Sequence, residues 1–240
     1  HFHQWGLHIY LGKFGAGKTC SMVRDAYFIC KRYPDVTIIT NLKLENFTED
    51  TKILPLTCIQ DILNAPDDTV VLIDEIGTIF NSRDFANGKT KDGEGGLPKI
   101  LFQHICQCRH RHLVIYGTVQ RWGFLEKQLR EITNDVTVCS AFPFHPFSRM
   151  ITNWVYDAEE YNLFYQSPIR PLAPLSGEVW IQSDFFRNLY DTQEMVNTLL
   201  TMEYISDEDI ERNRQFEALG LPAPMDKKGE KKLRNNLRNR

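Results

Sequence analysis

Eight residues near the start of the chain restrict its fold more than anything that follows. Gly12-Lys13-Phe14-Gly15-Ala16-Gly17-Lys18-Thr19 fits the pattern G-x-x-x-x-G-K-[ST], and it sits between the apolar run His8-Ile9-Tyr10-Leu11 and a segment of helical period. Glycines let a backbone wrap so that successive N–H groups converge on phosphate oxygens, and the helix that follows adds the positive end of its dipole. In such a loop Lys18 bridges the β- and γ-phosphates of a nucleotide, Thr19 offers its hydroxyl to Mg²⁺, and the cradle extends to Cys20. The pattern therefore calls for a strand, a tight loop and a helix, with ATP and Mg²⁺ as the expected cofactors.

The rest of the chain supplies a sheet for that unit. A helix is expected from Thr19 to about Arg32, with Met22, Val23, Ala26, Tyr27 and Cys30 on one stripe, and Pro34 stops it. Val36 to Ile39 reads as a β-branched strand. Val70-Val71-Leu72-Ile73 is apolar on both faces, as a central parallel strand must be. Pro98 opens a further expected helix containing Ile100, Leu101, Ile105 and Cys108, after a loop from Asp84 to Leu97. Strands at Leu113 to Tyr116 and Val136 to Val138 flank a helix with Leu125, Leu129 and Ile132 inward. Strands alternating with helices imply an α/β fold with a mostly parallel sheet. After Ser140 the composition turns aromatic and proline-rich, which suggests a small β-rich extension and then a helix from about Thr192 to Tyr204. The expected division is 1–141, 142–204, and a polar, disordered basic tail at 205–240.

The strand Val70 to Ile73 ends in Asp74-Glu75, which brings two carboxylates to the carboxyl edge of the sheet beside the loop. Asp74 is the expected Mg²⁺ partner of Thr19, and Glu75 the residue that orients and deprotonates the attacking water. An acidic pair at a strand end is weak evidence alone, but beside a phosphate loop it defines a hydrolytic site. Gln120 follows the strand Leu113 to Thr118, so it reaches the same edge and is placed to sense the γ-phosphate; a plain loop glutamine is the bland alternative. Arg109, Arg111, Arg121 and Arg130 are candidates for an arginine acting on a neighbouring subunit. Arg130 is preferred because it lies on the polar face of its helix, although a surface arginine fits as well.

Composition narrows the setting. With 42% hydrophobic and 25% charged residues the chain is of ordinary globular type, and no apolar run reaches membrane-spanning length. His1 to Trp5 has no secretory character, and the missing initiator Met suggests processing or trimming. Cys20, Cys30, Cys58, Cys106, Cys108 and Cys139 mostly sit in apolar patterns, which favours reduced thiols. His104, Cys106, Cys108, His110 and His112 lack zinc-site spacing. The aromatics from Phe142 to Tyr165 suit core packing better than base stacking, since only Arg149 brings positive charge among them. Net charge is −3, yet Asp226 to Arg240 carries +5, leaving −8 for the first 225 residues. A nucleic acid or an anionic membrane is thus met by a local surface or by the tail.

Together these motifs resemble the assembly ATPases of filamentous phages, the zonula occludens toxin (Zot) family within the FtsK–HerA superfamily of motors. The likeness rests on the loop, on Thr40-Asn41-Leu42, and on the run Asp74-Glu75-Ile76-Gly77-Thr78-Ile79-Phe80-Asn81-Ser82-Arg83. It continues through Arg109-His110, Gln120, Lys127-Gln128 with Arg130, and Tyr190-Asp191-Thr192, covering most of Ile9 to Val196. It implies a RecA-like fold, a homo-oligomeric ring such as a hexamer, and ATP hydrolysis driving movement of phage DNA. The implied location is the cytoplasm at the inner face of the host membrane. The family continues into a membrane helix where this chain ends at its basic tail. Packaging or conjugative ATPases of the same superfamily remain alternatives, as does an adaptor without turnover. A ParA/MinD-like dimer also remains open, since Lys13 matches the extra lysine of that loop although Phe14 stands where its members carry Gly.

Overall fold

In the computed structural model, residues 2–80, 108–143, 149–169 and 171–191 are described. All of them lie in one compact unit spanning His1–Met195; a second unit, Val196–Arg240, lies outside the described residues. So do the loop from Asp84 to Leu97, the helix expected at Pro98, His104, Cys106, the helix expected after Thr192 and the basic tail.

The opening strand β1 (Gly6–Leu11) leads through the glycine loop into α1 (Lys18–Arg32). There follow β2 (Thr37–Thr40), the short β3 (Lys43–Leu44), β4 (Lys52–Pro55) and α2 (Ile59–Leu63). The fully buried β5 (Thr69–Ile73) runs into α3 (Ile76–Phe80). After a 3₁₀ turn at Cys108–Arg111 come β6 (Leu113–Val119), a second 3₁₀ turn at Trp122–Phe124 and α4 (Lys127–Ile132). The remaining elements are β7 (Thr133–Phe142), β8 (Met150–Asp157), α5 (Ala158–Gln166), β9 (Ser176–Ile181), α6 (Asp184–Arg187) and β10 (Tyr190–Asp191).

Eight strands form one sheet in the order β4-β2-β5-β6-β1-β7-β8-β9, and β10 pairs with β3 in a separate two-stranded ribbon. From β4 to β7 every pairing is parallel; β7–β8 and β8–β9 are antiparallel. The loop-bearing β1 is separated from the acidic β5 by β6, the RecA-like order. Residues of alternating parity feed two cores. Ile9, Val71, Ile73, Ile115 and Val136 face α2, α3, α4 and α5, where Ile62, Ile76, Leu129 and Ala158 meet them. Ile38, Val70, Leu72, Val114 and Tyr10 face α1, whose Met22, Val23, Ala26, Ile29 and Cys30 form its buried stripe. Each Val, Leu, Ile or Met among them contributes roughly 1.5–3 kcal/mol relative to exposure.

Two features depart from the sequence expectation. β4 and α2 were not foreseen: Lys52-Ile53-Leu54-Pro55 is a half-exposed edge strand with a proline, which carries too little apolar pattern to read. Arg111 ties that region down, donating to the carbonyls of Leu63 (3.1 Å) and Ala65 and pairing with Asp67. The strand expected as Val136 to Val138 is also much longer, whereas the one expected to begin at Leu113 and to reach Thr118 ahead of Gln120 ends one residue later, at Val119. β7 runs through the expected boundary at 141/142, and the β-rich extension that follows adds β8 and β9 to the same sheet.

Candidate active site

The carboxyl ends of β1, β2, β5 and β6 converge on the glycine loop. Gly17 caps α1 with φ 84°, a left-handed conformation that favours glycine, and no side chain caps the helix. Its first N–H groups are therefore not satisfied by a side-chain acceptor, as an anion site at a helix start requires. Gly12 is needed for closeness: a Cβ there would lie 2.6 Å from the Cys139 carbonyl oxygen. The loop curls on itself, with Ala16 N–H donating to the Lys13 carbonyl (3.1 Å). Lys18 is buried, and its Nζ donates to that same carbonyl at 3.2 Å. Lys13 and Phe14 lie at the exposed tip. The Cys20 thiol packs in a small core with Ile151 and Trp180, and burial raises its pKa, so its share in phosphate binding falls to its backbone N–H.

Above the loop the acidic pair is held from three directions. Thr19 Oγ1 donates to Asp74 Oδ1 (2.8 Å), and Thr118 Oγ1 donates to the same oxygen (2.6 Å). Asn41 clamps the Asp74 peptide on both sides: its Oδ1 accepts from Asp74 N–H (2.9 Å) and its Nδ2 donates to Asp74 O (3.1 Å). Asp74 is buried, and burial pushes its pKa up, while the two threonine hydroxyls and the Lys18 charge pull it back. Glu75 takes φ 52°, unusual for a residue with a side chain, and its N–H donates to Thr118 Oγ1 (2.9 Å). Gln120 Nε2 donates to Glu75 Oε1 (3.1 Å), so the residue that follows β6 meets the second of the two acids that follow β5.

The donor set fits a nucleotide with a hard divalent cation. Thr19 Oγ1 and Asp74 stand within hydrogen-bond distance, all-oxygen ligands of the kind Mg²⁺ selects, beside a buried lysine and an uncapped helix start. Bound there, Mg²⁺ would draw charge from the phosphate oxygens; Thr19 and Asp74 are the residues to hold it. The Glu75 carboxylate, with Gln120 bonded to it, is of the chemical type that could take a proton from water. This is the fold and loop geometry of a RecA-like P-loop NTPase.

Other sequence candidates fall elsewhere. Arg130 lies three residues before Thr133, which sits beside Leu7 near the start of β1, whereas the loop leaves the far end of that strand. It does not join its own chain's site; its Nε is buried without a hydrogen-bond partner among the described residues. Arg109 stacks over Trp5 (5.6 Å) and Arg121 over Phe124 (5.8 Å). His112 pairs with Asp68 (2.9 Å), while Cys108 is buried. Thr118, by contrast, has a place in the site that the sequence reading did not assign. Its signal was a threonine hydroxyl near the carboxyl end of the otherwise apolar, fully buried strand Leu113-Val114-Ile115-Tyr116-Gly117-Thr118-Val119.

No protein-family model matches the chain, and no curated protein matches it. Among solved structures it is similar to the N-terminal domain of zonular occludens toxin from Neisseria meningitidis, with 17% identity, 78% of this chain and 100% of that chain covered, and a TM-score of 0.48. It is also similar to the DNA-packaging ATPase of Sulfolobus Turreted Icosahedral Virus (10% identity, 75% of this chain and 98% of that one, TM-score 0.45). A third similar structure is the flagellar accessory protein FlaH from Methanocaldococcus jannaschii (14% identity, 63% and 77% covered, TM-score 0.43).

Proposed function

We infer that this chain hydrolyses ATP with Mg²⁺ and that it works as a ring-forming motor moving DNA during virus assembly. The observation that carries the hydrolytic part is the cluster of Thr19, Thr118 and Gln120 around Asp74 and Glu75, directly above the phosphate loop. A nucleotide-gated adaptor needs the loop and Lys18 but has no need of a general base held by a dedicated glutamine. The motor part rests on the run from Asp74 to Arg83 and on the other motifs shared with phage assembly ATPases. The ring assigns Arg130 to a neighbour's site, in keeping with its distance from its own. The basic segment from Asp226 to Arg240 is assigned to anionic lipid at the inner face of the host membrane.

Two substitutions test the hydrolytic reading. Lys18→Ala is expected to abolish ATP binding, whereas Glu75→Gln is expected to bind ATP with near-normal affinity and fail to turn it over. Titration with a fluorescent ATP analogue and a phosphate-release assay measure the two quantities. A fully active Glu75→Gln protein would remove Glu75 from the mechanism. Turnover unchanged by DNA, in a protein that stays monomeric with ATP by light scattering, would remove the motor.

A further inference from the structure

Thr118 is fully buried, and its single hydroxyl makes two hydrogen bonds of opposite sense. It gives its proton to Asp74 Oδ1 at 2.6 Å and accepts the Glu75 N–H at 2.9 Å. Both partners belong to the acidic pair, but one contact is to a side chain and the other to the backbone. The backbone contact falls at the one residue of the pair with positive φ, a conformation that disfavours side chains and that this hydrogen bond helps to hold. The side-chain contact falls on the same oxygen that receives the Thr19 proton, so Asp74 Oδ1 is bonded from β6 and from α1 at once. Asn41 directs both of its hydrogen bonds to the peptide groups of Asp74 rather than to a carboxylate.

We propose that Thr118 is the positioning residue that sets the Asp74 carboxylate and the Glu75 backbone in one geometry, so that the cation-holding group and the water-activating group are aligned by a single hydroxyl. The inference rests on the hydrolytic reading above. It makes two demands on one side chain. A hydroxyl is required because valine, equal in shape, can neither give the proton to Asp74 nor accept from Glu75. The methyl group is not required, because neither bond uses it. Residues in this supporting position around a metal site typically change affinity or activity by about 10–100-fold when lost.

The test compares Thr118→Val and Thr118→Ser with the wild type, after circular dichroism melts show which variants are folded. Thr118→Val is expected to keep its affinity for a fluorescent ATP analogue in EDTA, where only the loop and Lys18 act. Its Mg²⁺ midpoint, read from the same fluorescence, should rise by about tenfold or more, and its kcat should fall by about 10–100-fold. Thr118→Ser should restore both to within about threefold of wild type. A Thr118→Val protein with the wild-type Mg²⁺ midpoint overturns the proposal. So does a Thr118→Ser protein as impaired as the valine variant, since the methyl rather than the hydroxyl would then matter. If Thr118→Val does not fold, the serine variant decides alone, because loss of the Mg²⁺ response there also refutes a hydroxyl role. A wild-type protein that binds no nucleotide, or binds it as Lys18→Ala does, overturns the hydrolytic reading itself and this inference with it.

Discussion

Replacing Gly17 with alanine probes the contact between the phosphate loop and the strand that the chain reaches more than 130 residues later. At φ 84° an alanine pays the left-handed penalty, about 1–2 kcal/mol. Its Cβ would also lie 2.6 Å from Ile151 Cδ1, with Cγ1 at 3.3 Å and Cγ2 at 3.4 Å. Ile151 is fully buried on β8 against Cys20 and Trp180, so Cδ1 has little room to turn away. Overpacking of this kind costs roughly 1–3 kcal/mol, and the two effects together come to roughly 2–5 kcal/mol. Ile151→Val deletes the colliding atom and keeps both neighbours; alone it should cost about 0.5–1.5 kcal/mol. In the double variant the steric part disappears while the backbone part stays. The pair should therefore be less destabilised than the sum of the singles by about 1–3 kcal/mol. Urea unfolding of the four proteins without nucleotide, followed by circular dichroism, measures this coupling. Additivity within about 0.5 kcal/mol would refute the claim that β8 presses on the loop.

Two further outcomes follow from single residues. Burial, helped by the Glu178 charge, raises the pKa of Asp25 to about 6 against downward pulls from the Tyr10 hydroxyl and Arg24. The folded chain then holds a proton that the unfolded chain has released, so stability falls as pH rises from about 4 to about 6 and levels off above. With its side chain one-third exposed (33%), water screens part of the effect to on the order of 1 kcal/mol; Asp25→Asn should flatten the urea-derived stability between those pH values by that amount, and an unchanged slope would count against it. For Arg130, mixing Arg130→Ala subunits with Glu75→Gln subunits should restore ATP turnover, because some interfaces then hold both intact residues, and a trans arginine contributes about 10³-fold or more. Verified mixed rings with no recovery at any ratio would exclude it.

How much of this was readable in the chain depended on whether a residue's role is local. β1, β5 and the loop are legible because an apolar strand, a turn with three glycines and a helix stripe are contiguous, and each dictates its own conformation. Gln120 was placed at the right edge because strand ends in a parallel sheet all point one way. Thr118, Asn41 and Ile151 were not assigned to the site, since periodicity tells which face a side chain takes but not which partner waits there. The Ser21 hydroxyl donates to Asn153 Oδ1 (3.1 Å), and Arg24 makes a two-pronged contact with Glu178 (2.7 and 3.2 Å). No local pattern links α1 to β8 or β9.

The change of composition after Ser140 marks the small β-rich extension, and it joins at the hydrogen-bonding edge of β7, which needs a partner in any sheet that would otherwise end there. β8 supplies it from Asp135, facing Asp157, through Phe142, facing Met150. Having satisfied that edge, the same strand turns Ile151 toward Gly17 and Asn153 toward Ser21, so the residues that close the sheet also fix the start of α1. Arg24 extends the connection to β9, bonding Glu178 while its guanidinium lies 4.6 Å from the Trp180 ring. Any movement of the loop that displaces the first two turns of α1 must therefore be matched by β8 and β9 or break these contacts. The aromatic-rich segment is bound to the nucleotide loop by packing, whatever its composition suggests.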